Sequence, residues 1–180
     1  MDNFVEMTVD SIRVHMSSGQ HVVILKETEG PHFLPIWIGV SEANSIALKI
    51  TGITPERPIT HDLIVNILET LHVRVDRIVV TELSGEVFYA QIVAEGDGKT
   101  IAIDARPSDA IAIAVRVEAK IFVAQAVVDQ AGIIPSDDDQ DEEGGDGEGS
   151  DERLSQIRDW INTLDLPDLG NDSPPHTHPS

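Results

Sequence analysis

Residues 101–117 read Ile-Ala-Ile-Asp-Ala-Arg-Pro-Ser-Asp-Ala-Ile-Ala-Ile-Ala-Val-Arg-Val. In the first part Ile101 and Ile103 alternate with smaller or polar residues, the pattern of a strand from Lys99 to Ala105. From Ala110 to Val117 the run is apolar and reads as a helix. Between them Arg106-Pro107-Ser108-Asp109 turns the chain. Ser108 is the expected N-cap, and Asp109 falls in the first turn, where a carboxylate suits the positive end of the helix dipole.

The same pattern occurs earlier in the chain. Ile36-Trp37-Ile38-Gly39-Val40 leads to Ser41-Glu42-Ala43, again a strand feeding a helix with an acid in its first turn. Two strand-like segments precede each unit. Phe4 to His15 alternates but changes phase near Asp10-Ser11, which predicts a bulge, and His21 to Lys26 is β-branched. Val73 to Glu82 and Val87 to Ala94 flank the hairpin signal Leu83-Ser84-Gly85-Glu86. Pro35 suits an edge strand. Leu63, Ile64, Ile67, Leu68 and Leu71 recur at helical spacing behind Thr60, the expected cap of a helix between the two units. Ile121 to Val123 and Ala124 to Ala131 close the domain, residues 1–135, as a strand and a helix. The order is β-β-β-α, an extra helix, β-β-β-α, then β-α. It predicts an α+β fold, a strongly twisted antiparallel or mixed sheet with helices packed on it, and an internal β-β-β-α duplication.

Three stretches in this order resemble the bifunctional nuclease domain family. They are Leu34-Pro35-Ile36-Trp37-Ile38-Gly39 with Glu42-Ala43, Arg57-Pro58-Ile59-Thr60-His61-Asp62-Leu63, and Asp104 to Arg116. The resemblance covers about residues 4–135. It implies a compact α+β domain that self-associates, and nuclease activity on DNA and RNA. It supplies no catalytic set.

Candidate site residues therefore come from the chemistry. A metal-assisted nuclease needs carboxylates for Mg²⁺ or Mn²⁺, a group that activates water, and cations for phosphate. Glu42, Asp104 and Asp109 are the candidate metal ligands. His61, Asp62, Asp104 and Asp109 are the candidate catalytic residues, with His61 as general base. Arg57 and Arg106 are the candidate phosphate-binding pair, because a guanidinium matches phosphate geometry. Each has a plainer role as a cap, a first-turn acid or a fixer of the strand-to-helix bend.

Composition limits the alternatives. The 180 residues include no cysteine. That excludes disulfides, thiolate metal sites and a cysteine nucleophile. No apolar run approaches the ~20 residues of a membrane helix, and the first residues lack a signal-peptide pattern, so a cytoplasmic protein is expected. No Gly-x-Gly-x-x-Gly, P-loop, His-Glu-x-x-His or Gly-x-Ser-x-Gly motif occurs. The net charge is −20 and no Lys/Arg cluster marks a nucleic-acid face, which is the main objection to a nuclease. The acid is concentrated late. Residues 136–150 form an expected disordered acidic linker, 151–168 an amphipathic helix with Leu154, Ile157, Ile161 and Leu164 on one face, and 169–180 a disordered tail. Against the nuclease stands a non-catalytic oligomeric binding module whose tethered helix recruits a protein partner. A nucleotide or phosphate sensor using the same arginines is a third reading.

Overall fold

A computed structural model describes residues 3–15 and 19–135. The expected linker, C-terminal helix and tail lie outside the described residues. The elements are β1 (Phe4–Val14), β2 (His21–Glu27), β3 (Phe33–Ile38), α1 (Val40–Ile50), α2 (Thr60–Thr70), β4 (Arg74–Ser84), β5 (Val87–Gly96), β6 (Lys99–Ala105), α3 (Pro107–Val117), β7 (Lys120–Ala124) and α4 (Gln125–Ala131). This is the α+β order that the alternation and cap patterns predict.

The seven strands of the described residues form one mixed sheet in the order β3-β2-β1-β7-β4-β5-β6. β1-β2-β3 and β4-β5-β6 are antiparallel meanders. They flank β7, which runs antiparallel to β1 and parallel to β4. The innermost strands of the two meanders thus run in opposite directions, and β3 and β6 take the two edges. This arrangement is what a duplicated β-β-β unit related by a pseudo-twofold axis produces. The predicted bulge lies between Val9 and Ser11. Pro35 sits on the edge strand β3, where its missing N–H removes no ladder bond from an inner strand.

α3 is the centre of the helical layer. Ala110, Ile111, Ala112, Ile113 and Ala114 are all buried, and they share the main core with Ile78, Val80, Ala90 and Ile92 from the sheet. The alternating alanines let neighbouring elements approach closely, while each buried isoleucine contributes roughly 1.5–3 kcal/mol of transfer free energy. α1 and α2 both pack on α3.

The apolar face of α2 differs from expectation. Ile64, Val65 and Leu68 pack against the core, but Leu63, Ile67 and Leu71 are 53%, 48% and 65% exposed. Helical spacing alone does not separate these two stripes, because both recur every three or four residues.

The helix starts are also displaced from expectation. The N-cap residues are Gly39, Ile59 and Arg106; Ser41 lies inside α1, and the expected caps Thr60 and Ser108 lie inside their helices. Pro107 explains the last case. Its fixed φ and absent N–H suit the first helical position, so the helix begins there. The consequence is a shared register. Glu42, Asp62 and Asp109 each occupy the third residue of their helix.

Candidate active site

The first turns of α1 and α3 meet at one exposed guanidinium. Arg106, the N-cap of α3, donates from Nη2 to Glu42 Oε1 at 2.6 Å and from Nε to Asp109 Oδ2 at 2.7 Å. A further Nη2 bond reaches Asp109 Oδ1 at 3.1 Å. The side chain remains 67% exposed, and Nη1 makes no hydrogen bond among the described residues. Two N–H donors are therefore left for a ligand.

Asp109 connects this clamp to a buried relay that brings in the first turn of α2. His61 Nε2 lies 3.1 Å from Asp109 Oδ1, and His61 Nδ1 lies 2.8 Å from Ser45 Oγ. An ionised carboxylate only accepts, so Nε2 carries the proton toward Asp109. In the neutral ring Nδ1 then accepts the Ser45 hydroxyl. Burial would raise the Asp109 pKa, but the hydrogen bonds from Arg106 and His61, with the Arg106 charge, outweigh it and hold the carboxyl below its usual range. The two carboxylates beside Arg106, Asp109 first and then Glu42, in turn raise its pKa. The order Ser-His-Asp resembles a nucleophilic triad. Ser45, however, is 3% exposed within α1, so its hydroxyl positions the imidazole and meets no substrate.

A second arginine holds the far side. Arg116 is 7% exposed and donates to Asp62 Oδ1 at 2.6 Å, to Ala112 O at 2.8 Å and to Ser45 O at 3.2 Å. Asp62 Oδ2 also accepts the Ile59 backbone N–H at 2.9 Å. Burial pushes the Asp62 pKa up, and the Ile59 and Arg116 bonds pull it further down, leaving it lowered. Ser45 thus touches both halves of the network, with its hydroxyl on His61 and its carbonyl on Arg116.

Of the residues singled out from sequence, Glu42, His61, Arg106 and Asp109 come together, while Asp62 turns aside to Arg116. Arg57 lies exposed in the loop before α2 and makes no hydrogen bond or ion pair among the described residues. Asp104 stands apart. It pairs with Gln91 in the β5–β6 ladder, where the adjacent pair is Ile103–Ile92 and Ile92 belongs to the helical core. Strand alternation therefore sends Asp104 to the opposite face of the sheet.

The acids do not form a cation site as arranged. Glu42 and Asp109 are bonded to the same guanidinium, Asp104 faces away, and no group of three or more His, Asp or Glu side chains among the described residues is placed to hold a metal ion. Sequence reading missed Ser45 and Arg116. The signal for Ser45 was a hydroxyl between Ala43 and Ile46, both buried on α1. Arg116 carried none beyond its place at the end of an apolar helix.

The likeness to known proteins follows the same segments. The bifunctional nuclease domain model matches residues 23–136. The chain belongs to the bifunctional nuclease domain family. It is 41% identical over 137 residues to an uncharacterized protein of Mycobacterium tuberculosis, covering 76% of this chain and 82% of that protein. It is also 25% identical over 126 residues to Bifunctional nuclease 1 of Oryza sativa subsp. indica and to a bifunctional nuclease of Oryza minuta, covering 68% of this chain and 38% of each rice protein. Among the described residues, no helix is long and apolar enough to cross a membrane.

Proposed function

We propose that this family member hydrolyses phosphodiester bonds of nucleic acid at the Arg106 cluster. The supporting observation is the convergence of three helix starts on one linked network whose guanidinium keeps two free donors at the surface. Arg106 Nη1 binds a non-bridging phosphate oxygen and offsets the charge that develops there. Glu42 Oε2, the cluster's carboxylate oxygen without a hydrogen bond among the described residues, takes a proton from the attacking water as its oxygen bonds to phosphorus, the P–O ester bond breaks, and the leaving oxygen takes a proton from solvent. Asp109, His61 and Ser45 are positioning residues that fix the clamp. No step is routed through a metal, because the acids present do not converge on one.

The test is cleavage of labelled single-stranded DNA and RNA by the full chain from a nuclease-deficient host, with Mg²⁺, with Mn²⁺ and with a chelator. Glu42→Gln keeps an oxygen for Arg106 but removes the base, so cleavage should fall at least ~10-fold with folding intact. Unchanged cleavage would remove Glu42 from the chemistry. Absence of wild-type cleavage in all three conditions would leave the second reading, a clasp joining α1, α2 and α3. That reading draws on the hydrogen bonds that join Arg106, Asp109 and His61 to one another.

A further inference from the structure

An open depression of about 340 Å³ lies beyond the buried arginine, between the end of α1, the loop after it, and α2. Its apolar wall includes Ile53, Pro55 and Pro58, its polar rim Lys49 and Asn66, and the Asp62–Arg116 pair lines it as well. We infer that this depression holds one unstacked nucleotide, its base against Ile53 and the prolines and its phosphate at Lys49 and Arg57. The inference rests on the proposed function and names the substrate class of the same molecule.

Three observations carry it. The volume is at the small end of the range for ligand sites, roughly 300–1,000 Å³. The wall is apolar with Asn66 at its edge, which suits a base with a flat face and polar rim. The side chains of Lys49, on the rim, and Arg57, in the loop between the two lining prolines, make no hydrogen bond or ion pair among the described residues. Arg74, Arg77, Arg106, Arg116 and Lys120 are by contrast all paired with acids. Lys26, which lies over the Phe33 ring, and Lys99, on β6, also lack an acidic partner among the described residues, but Lys49 and Arg57 are the two that fall beside one depression in a chain of net charge −20. The depression also adjoins the proposed site. Asp62 follows His61 directly, and Arg116 lies seven residues from Asp109 on α3, a rise of about 10 Å. A base can enter only after leaving its stack, which costs least in a single strand.

The same chemistry is offered by a free nucleotide and by a residue of a strand, and titrations separate them. The full chain is titrated at low salt with a labelled dA 12-mer, with that strand annealed to its complement, and with AMP. The single strand should bind more tightly than the duplex. Lys49→Glu/Arg57→Glu and Ile53→Asp, all at exposed positions, should each weaken it at least ~10-fold while the circular dichroism spectrum is kept. AMP binding that the depression variants abolish, without oligonucleotide binding, would keep the nucleotide site and count against the nuclease. Wild-type affinity in both depression variants, equal binding of duplex and single strand, or no binding of any probe would overturn the inference.

Discussion

Replacing Arg106 separates chemistry from clasp. The side chain is 67% exposed, so each of its ion pairs is screened by solvent and contributes about 0–1 kcal/mol to stability. Arg106→Ala should therefore lower the melting temperature by a few degrees only. Its proposed bond to phosphate is charge-assisted and worth about 1.5–3 kcal/mol. At about 1.36 kcal/mol per tenfold, kcat/KM should fall roughly 10- to 150-fold. Arg106→Lys keeps the charge but cannot hold Glu42 and Asp109 while presenting a planar pair of donors. It should recover less than about a tenth of the wild-type rate. The assay is single-turnover cleavage of a labelled oligonucleotide, with melting measured on the same samples. Wild-type cleavage by Arg106→Ala would refute the reasoning. Loss of cleavage only in proportion to unfolded protein would reduce Arg106 to a structural clasp.

Three further outcomes follow from the geometry. Arg116→Met leaves Asp62 Oδ1 and the Ser45 carbonyl without the arginine donor; breaking a buried pair costs about 3–5 kcal/mol, less here because Asp62 is 29% exposed, and melting should fall by about 10 °C. A fall under about 2 °C would show that the pair does not hold α2 to α3. Gly39→Ala drives a Cβ into Glu42 Oε2, so the carboxylate must shift from its place beside Arg106; cleavage should drop more than stability, and equal rates would count against Glu42. Asp62 and Asp109 have lowered folded pKa values, so their stabilisation is complete above the ordinary carboxylate range and is lost as pH falls through the folded values. Urea unfolding from about pH 5 to about pH 2.5 should show that acid loss, and Asp109→Asn should flatten part of it; an unchanged profile would contradict the assignment.

Local pattern made most of the elements legible. Alternation marked the outer strands, and the phase change at Asp10-Ser11 marked the bulge. The position of β7 was not legible, because its pairing with β1 and β4 joins segments distant in the chain. Helical spacing placed α2 but not its buried side, since Leu63 and Ile64 fit equally well. The equivalence of Glu42 and Asp109 was visible in the echo. Their meeting at Arg106 depends on α1 packing against α3, which no local pattern encodes. Asp104 was drawn into the candidate set by nearness in sequence, and strand alternation then carried it to the other face.

The asymmetry of the two halves explains why the Arg106 clamp sits where they meet. Glu42 and Asp109 correspond at an offset of 67 positions (109 − 42), and the same offset relates Gly39 to Arg106. Both of those residues are N-caps. A strict repeat of the first half, with glycine at both caps, would bring two carboxylates together with no cation between them, and the acids would repel. Here one cap has no side chain, so the Glu42 carboxylate can fold over it, and the other supplies the guanidinium that both acids share. The difference at one cap position turns a like-charge contact into a clamp with a free donor edge. Changing Gly39 to any larger residue should therefore disturb the Arg106 end of the molecule more than its own edge of the sheet.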